Sequence, residues 1–285
     1  MAVTKTSDVS STYLAAEYLS QKIGPEAASH TLIADLVHQE STVGKDTMIA
    51  HLRNLVPFSV PSAVTEGAAL TVVQWAPAGK TITAAQKGFA VQESKVLDSI
   101  SPSALPTIVA QCGTTLARLW DTDLAALFTS FTGGTVGAYT TALTLDMVTQ
   151  AIADLDAAFA QGPKNGVISP QQWFDLVKDI SSKNAGISTI KTVINEDTGR
   201  SLKVMDLEGC IFRSSGLLNT TYSSTGTVGG LFTQDALAIT VAQQPKVEIL
   251  PITGQNAWSI DASVAYGVAT FRPTFGAILL SGDSA

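Results

Sequence analysis

Charged side chains are scarce in this chain of 285 residues. Asp, Glu, Lys and Arg together make up 14% of it, against roughly 25% in an average soluble domain. A protein that works alone uses charged groups to cover its surface and to limit association. Ser, Thr and Gln are abundant and take over part of that role. The composition favours a surface that is partly covered by partners, but it does not require one.

Basic residues are the scarcer of the two charged classes. Seventeen Lys and Arg stand against 24 Asp and Glu, which gives a formal net charge of -7, and no basic run occurs. Tight binding to nucleic acid needs clustered Lys and Arg that displace counterions from the phosphates. The sequence argues against a direct grip on DNA, although an acidic chain is still able to line a compartment that encloses it.

Long apolar runs are missing as well. No segment approaches the roughly 18 apolar residues that a membrane span needs, and no apolar stretch follows Met1–Lys5, so we expect neither a membrane partner nor a secretory signal. The two cysteines, Cys112 and Cys210, are then expected in a reducing cytoplasm without a disulfide. The glycosylation sequon at Asn219 is a chance match in that setting.

Histidine is too rare, and too isolated, to indicate a metal site. His30, His38 and His51 are the only three, and a zinc site needs closely spaced ligands with thiolate or carboxylate partners nearby. Both cysteines are distant in sequence. We expect polar histidines at interfaces.

Two acidic pairs have the spacing of calcium ligands. Asp121 and Asp123 form one pair, and Asp154 and Asp156 form the other. Neither is followed by the glycine and glutamate that an EF-hand loop requires, and both lie in strong helical patterns. These carboxylates are expected to be solvated on helix faces.

Motifs for phosphate binding and for nucleophilic catalysis are also absent. The glycine-rich segment 132–137 has no Gly-Lys-Ser/Thr ending and follows a helix, so a junction loop is expected. No Gly-x-Ser-x-Gly occurs, and Ser214–Gly216 is interpreted as a turn that ends a strand. We therefore assign no catalytic, cofactor-binding or metal-binding residue, and we do not expect an enzyme.

One long helix is predicted over about 103–131. Ser103 is a plausible N-cap, and Pro106 falls in the first turn, where its missing N–H costs little. Apolar residues then recur every three or four positions over about six turns. They are Ile108, Val109, Cys112, Leu116, Leu119, Trp120, Leu124, Leu127 and Phe128.

Two shorter helices follow in the predicted order. The first is capped by Thr144 and is stopped by Gly162–Pro163, and the second begins at Ser169–Pro170 after a buried strand at 166–169. The first helix has an apolar stripe of Leu145, Val148, Ile152, Leu155 and Phe159, and the second has Trp173, Leu176, Val177 and Ile180. Strands are predicted at 187–194, 207–213, 246–252, 258–271 and 275–280.

The N-terminal third has a different character. Residues 1–40 are interpreted as an arm with short helices, in which Leu32, Ile33, Leu36 and Val37 have helical spacing. Strands are predicted at 43–56 and 69–75. Because neither alternates cleanly between apolar and polar residues, they indicate a ribbon that projects from the chain and contacts neighbours on both faces.

Five short sequence segments occur along the chain in an order that is typical of a known fold. They are Gly79–Thr83 with Lys87–Lys95, Ala142–Thr149 with Asp156–Phe159, Asn165–Leu176, Leu207–Leu218, and Gly229–Ala238. With the order of the elements, they resemble the HK97-like major capsid protein fold of tailed phages. The resemblance spans nearly the whole chain, and the order of the strings is more specific than any one of them.

The resemblance implies an α+β fold with an N-terminal arm, an extended β-hairpin loop, a long spine helix, and peripheral and axial domains. The divisions would be 1–42 for the arm, 43–92 for the extended loop, 93–137 with 239–285 for the peripheral domain, and 138–238 for the axial domain. Some family members crosslink a loop lysine to an asparagine. Lys80 and Asn256 could take those roles here, but since no motif surrounds them we assign no crosslink.

The resemblance also implies a function and partners. The chain would self-assemble, through its arm and loop, into hexamers and pentamers of an icosahedral head in the virion, formed in the bacterial host cytoplasm. A separate scaffold protein, a portal, a decoration or cement protein, and DNA held by enclosure would be its other partners. Two alternatives stay open: an encapsulin-type nanocompartment shell, and a soluble α/β hydrolase or binding module.

Overall fold

The computed structural model describes residues 31–45, 47–54, 78–94, 104–183, 189–194, 201–219, 226–252 and 254–282. These residues contain three α-helices: α1 (Ala104–Ala126), α2 (Leu145–Ala157) and α3 (Pro170–Ser182). Helix α1 continues into a 3₁₀ turn, Leu127–Ser130. The predicted long helix is confirmed, and at about 1.5 Å per residue it is roughly 35 Å long. Its predicted cap, Ser103, lies outside the described residues.

Thirteen strands accompany the helices in the same residues. They are β1 (His38–Ser41), β2 (Ile49–Asn54), β3 (Ala78–Thr83), β4 (Ala85–Ser94), β5 (Gly134–Gly137), β6 (Lys164–Ile168), β7 (Thr189–Ile194), β8 (Ser201–Leu207), β9 (Cys210–Ser214), β10 (Gly226–Thr233), β11 (Leu237–Ile252), β12 (Ala257–Thr270) and β13 (Gly276–Gly282). The predicted strand at 69–75 and the predicted helices of the first 30 residues lie outside the described part.

The strands form three sheets. A four-stranded sheet has the order β1-β11-β12-β4, a seven-stranded sheet has the order β5-β13-β10-β6-β9-β8-β7, and β2 pairs with β3 as a separate hairpin. In the four-stranded sheet, β12 pairs with β4 from Ala257–Ser94 to Tyr266–Ala85. The predicted inward face of β12 is confirmed, since Ile260, Ala262, Val264 and Tyr266 are all buried.

The seven-stranded sheet separates two hydrophobic cores. One core contains the apolar stripe of α1 together with β12, and the other lies under α2 and α3. Neighbouring residues of the central strands face opposite cores, as the period of two in a strand requires. Val228 and Phe232 of β10 face the α1 core, whereas Leu231 faces the α2 and α3 core.

Helices α2 and α3 begin where their sequence signals place them. The Thr144 hydroxyl accepts a hydrogen bond from the Met147 amide (3.4 Å). At α3, Ser169 and Gln172 form a complete capping box, with Pro170 in the first position. In this box the side chain of each residue accepts a hydrogen bond from the backbone amide of the other. The predicted starts of α2 and α3 are both confirmed.

The predicted end of α2 is wrong. The helix stops at Ala157, before Gly162–Pro163, and Phe159 has a left-handed backbone with φ of 55°. Its side chain is 82% exposed and is not part of the buried stripe. The turn rotates Phe159 away from the face that Leu155 and Ile152 bury, which helical spacing alone does not reveal.

The glycine-rich segment is a strand and not the expected junction loop. Strand β5 pairs in parallel with β13, from Gly134 opposite Ala277 to Gly137 opposite Leu280. Its glycines allow a close approach: a Cβ atom on Gly137, where φ is 85°, would lie 2.1 Å from the Leu280 carbonyl oxygen. Only glycine fits both that backbone and that space.

The strand predicted at 207–213 is also wrong in its extent. It is the junction of two antiparallel strands, β8 and β9, in which Leu207 pairs with Cys210. Glu208 and Gly209 both have positive φ, 51° and 79°, as in the two-residue turns that match strand twist. The prediction missed the turn because Glu at its first position is not a usual signal.

Residues 31–37 belong to the α1 core, which corrects the prediction of a helical arm here. Only Ala34–Leu36 forms a 3₁₀ turn, while Leu32, Ile33 and Val37 are buried. Their anchor is Asp121 of α1, which is 2% exposed. Its carboxylate accepts hydrogen bonds from the backbone amides of residues 32 (2.8 Å), 33 (2.9 Å) and 34 (3.1 Å).

The interpretation of Asp121 as a solvated carboxylate is therefore wrong. Three buried backbone amides at one point need an acceptor, because an unpaired buried N–H is costly. A carboxylate supplies that acceptor with the stronger bonds of an ionised group. The side chain caps a turn that lies 87 to 89 residues away in sequence.

Replacing Asp121 with Ala is expected to lower the free energy of unfolding by about 2 to 4 kcal/mol, because three buried amides lose their partner. Chemical denaturation followed by tryptophan fluorescence measures this. Asp156→Asn is the control, since the Asp156 carboxylate is 60% exposed and pairs with Lys164. A loss for Asp121→Ala no larger than for the control would contradict the anchoring role.

The same carboxyl predicts a pH dependence. Burial raises the pKa of Asp121 from 3.8 to about 6, against the three amide bonds, which lower it. When the pKa of a group is higher in the folded chain than in the unfolded chain, its protonation stabilises the fold. This contribution is complete at a pH below the unfolded pKa and is lost as the pH rises through the folded pKa. Between pH 7 and pH 4, stability should increase more in the unchanged chain than in Asp121→Asn. Parallel pH profiles would contradict this assignment.

Candidate functional site

The reactive side chains do not converge on a catalytic centre in the described residues. Burial raises the pKa of Cys112, and it raises that of Cys210 to about 11, so neither thiol ionises readily at neutral pH. Ser214 ends β9, and the Ser215 hydroxyl accepts from the Leu217 amide in the turn that follows. The turn predicted for this serine pair is confirmed.

No group of three or more His, Cys, Asp or Glu residues in the described ranges is arranged to hold a metal ion. His38 lies 4.0 Å from an Asp235 carboxylate oxygen, while His51 lies 3.3 Å from the Thr81 hydroxyl. These two histidines are in different sheets, and His30 lies outside the described part. None of the described helices is both long and apolar enough to cross a membrane.

The hairpin of β2 and β3 is the first surface that stands out. Its strands pair from Ile49–Thr83 to Asn54–Ala78. One face of its base is buried: Leu52 and Ile82 pack against Ala238 and Phe271 in a small separate cluster. The prediction that the whole ribbon is two-faced is thus wrong for the described base, which packs on its own chain.

Exposed apolar side chains lie at the start of β2 and in the segment before it. Val43, Met48 and Ile49 are 46%, 54% and 41% exposed. An open groove of about 510 Å³ adjoins them, lined by Thr42, Gly44, Lys45, Thr47, Met48, Ala242, Gln243 and Ala265. Among the described residues of this lining, Lys45 is charged, and it pairs with Glu40 at 3.3 Å. We call these three side chains and the groove beside them the hairpin-base surface.

Side-chain hydrogen bonds connect β4, the strand that follows the hairpin, to α1. Lys87 of β4 and the Tyr266 hydroxyl of β12 both donate hydrogen bonds to the Asp123 carboxylate of α1. The Lys87 ammonium also lies over the Tyr266 ring, 4.9 Å from its centroid. Burial raises the pKa of Tyr266 far above its ordinary value. Asp123 is only 25% exposed, so the expectation of a solvated carboxylate is wrong here too.

The second acidic pair, Asp154 and Asp156, is closer to the expected solvated carboxylates. Asp156 is 60% exposed and pairs with Lys164 at 2.5 Å, and Asp154 accepts a hydrogen bond from Gln150 at 2.8 Å. Lys80 donates to the Thr270 hydroxyl of its own chain at 3.1 Å. Asn256 lies exposed in the turn between β11 and β12.

No protein-family model and no curated protein matches this sequence. Solved structures match its fold. Mycobacterium phage Che8 gives a TM-score of 0.64 at 19% identity, covering 87% of this chain and 90% of that chain. The capsid of cyanophage P-SCSP1u gives 0.62 at 17% identity, covering 89% of each. The holo-SrpI encapsulin complex from Synechococcus elongatus gives 0.61 at 13% identity, covering 87% and 85%.

The chain has the HK97-like capsid fold. The α+β class and the long helix expected for it are both present. Within this HK97-like fold the hairpin-base surface lies where the resemblance places the start of the extended loop. The signal for the surface was weak in the sequence, because Met48 and Ile49 differ little in type from the buried Ala50 and Leu52 beside them.

The small cluster at the hairpin base predicts a local effect. Leu52→Ala should cost about 2 kcal/mol, near the low end for a buried leucine, because few side chains surround it. Hydrogen exchange should quicken in β2 and β3 while α1 keeps its protection. Met48→Ala is the control, since that side chain is exposed. Equal exchange changes in the hairpin and in α1 would show that the cluster is not a separate anchor.

Proposed function

We propose that this chain is the major capsid protein of a tailed phage, which assembles into hexamers and pentamers of an icosahedral shell around double-stranded DNA. One observation carries the proposal: the chain shares its fold over most of its length with phage capsid structures. The function is structural, with no reaction to catalyse. Closed symmetric association of many copies is its physical basis.

The low content of charged residues supports self-association of the chain. A 14% charged fraction leaves a surface with few groups that resist association. The hairpin-base surface adds apolar side chains that are placed by a fixed backbone. Many modest contacts of this kind, repeated by symmetry, stabilise a shell even when each is weak alone.

An encapsulin-type shell is the second candidate, favoured by the match to the SrpI encapsulin complex. The phage assignment is preferred because the other similar structures include capsids or heads of several phages. An acidic chain with no basic run would enclose DNA without gripping its phosphates. In this proposal the chain resides in the virion after assembly in the bacterial host cytoplasm.

The proposed partners are other copies first, then a separate scaffold protein, a portal, and a decoration or cement protein. The proposed divisions are an arm at 1–42, an extended loop at 43–92, a peripheral domain at 93–137 with 239–285, and an axial domain at 138–238. Strand β13 lies in the proposed peripheral domain and pairs with β10, which lies in the proposed axial domain. The two proposed domains therefore share one sheet.

The whole chain, expressed alone or with a co-expressed scaffold, is expected to form capsomers or closed shells visible by negative-stain electron microscopy. Analytical ultracentrifugation should show a species far larger than the 29.7 kDa chain. A compact monomer that persists at high concentration under both conditions would contradict the proposal. Particles isolated from the native host separate the two shells: packaged genomic DNA indicates a phage head, and a cargo enzyme indicates an encapsulin.

A further inference from the structure

Strand β11 has an edge that the described chain covers only in part. On one side, β12 pairs with it from Leu237 to Ile252. On the other side, β1 pairs with it from Ala238 to Val241. Among the described residues, no strand pairs with this second side over 242–252. Backbone N–H and C=O groups along such an edge are a template for another strand.

The register shows which residues of β11 point outward at this edge. The Val241 carbonyl accepts from the Thr42 amide, so the backbone groups of Val241 face β1, and those of its β12 partner Tyr266 face β4. Strand β12 pairs with β4 without an irregularity. Because backbone direction alternates along a strand, every second residue back to Trp258 also faces β4. The β11 partners of these residues that lie beyond the irregular part face the uncovered edge: Val247, Ile249 and Pro251.

The sequence limits how a partner strand can use this edge. Pro251 agrees with the assignment, because a proline has no N–H to donate to β12. Register irregularities interrupt β11 between Val241 and Lys246. Prolines, bulges and lysines are common protections against open-ended strand addition. They leave a short stretch around Val247 and Ile249 that can donate and accept, which suits one partner in a fixed register.

The exposed face beside this stretch carries charges of both signs. Lys246 and Glu248 lie on it, with side chains 54% and 49% exposed. Asp261 of β12 is directly opposite Glu248, whereas β4 contributes the uncharged residues 88, 90 and 92 to the same rows. Within these described rows, two carboxylates therefore share one ammonium group. A second ammonium group at the open side of Glu248 would be attracted.

We propose that this edge of β11 pairs antiparallel with the same edge of a second copy of the chain, around a two-fold axis at Val247. The inference rests on the proposed function for its setting, a symmetric contact within the shell. Antiparallel pairing of a strand with its own copy gives an isologous interface, in which both copies use the same residues. The four-stranded sheets of the two copies then form one continuous sheet.

The charges select this register from those that the backbone allows. Outward-facing residues must lie opposite each other, so the two-fold axis can pass through residue 247, 248 or 249. An axis at Glu248 places that carboxylate opposite its own copy, and like charges directly opposite are destabilising. An axis at Ile249 places Glu248 opposite Leu250. The axis at Val247 places Lys246 of each copy opposite Glu248 of the other, which is the favourable arrangement.

The pairing is short, which agrees with a contact repeated by symmetry. At its centre Val247 donates to and accepts from its counterpart, and one Lys246–Glu248 pair lies on each side. Exposed ion pairs contribute little alone, so two free chains would not stay joined. An extended segment of a different head protein is the competing occupant. The match of Lys246 with Glu248 around one centre favours the second copy, because it is a property of the strand paired with itself.

Charge reversal in separate chains tests the contact. Lys246→Glu and Glu248→Lys each create like-charged pairs across the axis. Each alone should raise the concentration at which shells form, measured by light scattering, by roughly threefold to tenfold. An equal mixture of the two variants should lower it again, because each chain then meets opposite charges. The ion pair within each chain stays broken in the mixture, so recovery reports contact between chains. Lys178→Glu, at an exposed site on α3, is the control for net charge and should leave the threshold unchanged.

A disulfide reports the register. Chains with Lys246→Cys and chains with Glu248→Cys are assembled together and treated with oxidised glutathione, while the native Cys112 and Cys210 are buried. One chain of each kind should become linked, since directly opposite residues lie about 4.5 to 5.5 Å apart between Cα atoms, within disulfide reach. Mass spectrometry of the linked peptides identifies the pair. Either variant alone should stay unlinked.

The possible outcomes separate this inference from the proposed function. Normal shells without the mixed link, or with Glu248→Cys linked to itself, would overturn the pairing and leave the proposed function intact. A mixture of charge variants that assembles no better than either alone would also overturn it. Linked dimers that never form shells would support the pairing and overturn the proposed function. Absence of both shells and links would overturn both.

Discussion

The sharing of three strands between two cores is the constraint on which the rest of the fold depends. Strands β6, β10 and β13 present alternate residues to the core of α1 and to the core of α2 and α3, and all eight residues of β10 are buried. A strand buried on both faces cannot shift its register by one residue without exchanging the two sets of side chains. The two cores are consequently coupled through the strands that they share.

Two buried polar side chains, Gln172 and Asp121, connect helices to other parts of the fold. Gln172 of α3 accepts from the Ser169 amide and donates to the Leu279 carbonyl of β13 (both 3.0 Å), which joins the capped end of a helix to the shared sheet. Asp121 does the same for residues 31–37 on α1. Both are fully or nearly buried and satisfied by backbone groups, as buried polar atoms must be. Carboxylates used inside the fold are also lost from the surface, so the exterior is poorer in charge than the composition suggests.

Sequence reasoning succeeded where structure follows from local periodicity. The α1 stripe, the Ser169–Pro170 helix start and the inward face of β12 all follow from spacing and capping rules within about 20 residues. It failed where a residue distant in sequence determines the environment of a side chain or the pairing of a strand. Asp121 has the sequence context of a solvated helix residue, and only the return of residues 32–34 makes it an anchor. Segment 134–137 pairs with a strand about 140 residues away, and the glycines that permit this pairing read locally as a loop. Phe159 fits helical spacing, but a turn two residues earlier redirects it.

Two sites with exposed apolar side chains share a property that the local sequence does not display. The exposed Ile49 alternates with the buried Ala50 and Leu52 along β2, and the exposed Phe159 follows the buried Leu155 of α2. In both places an exposed apolar group stands beside buried ones, so its position is already fixed before a partner arrives. Association then loses less conformational entropy than it would through a mobile segment. In the proposed shell, a saving that is small in one interface would be repeated in each copy.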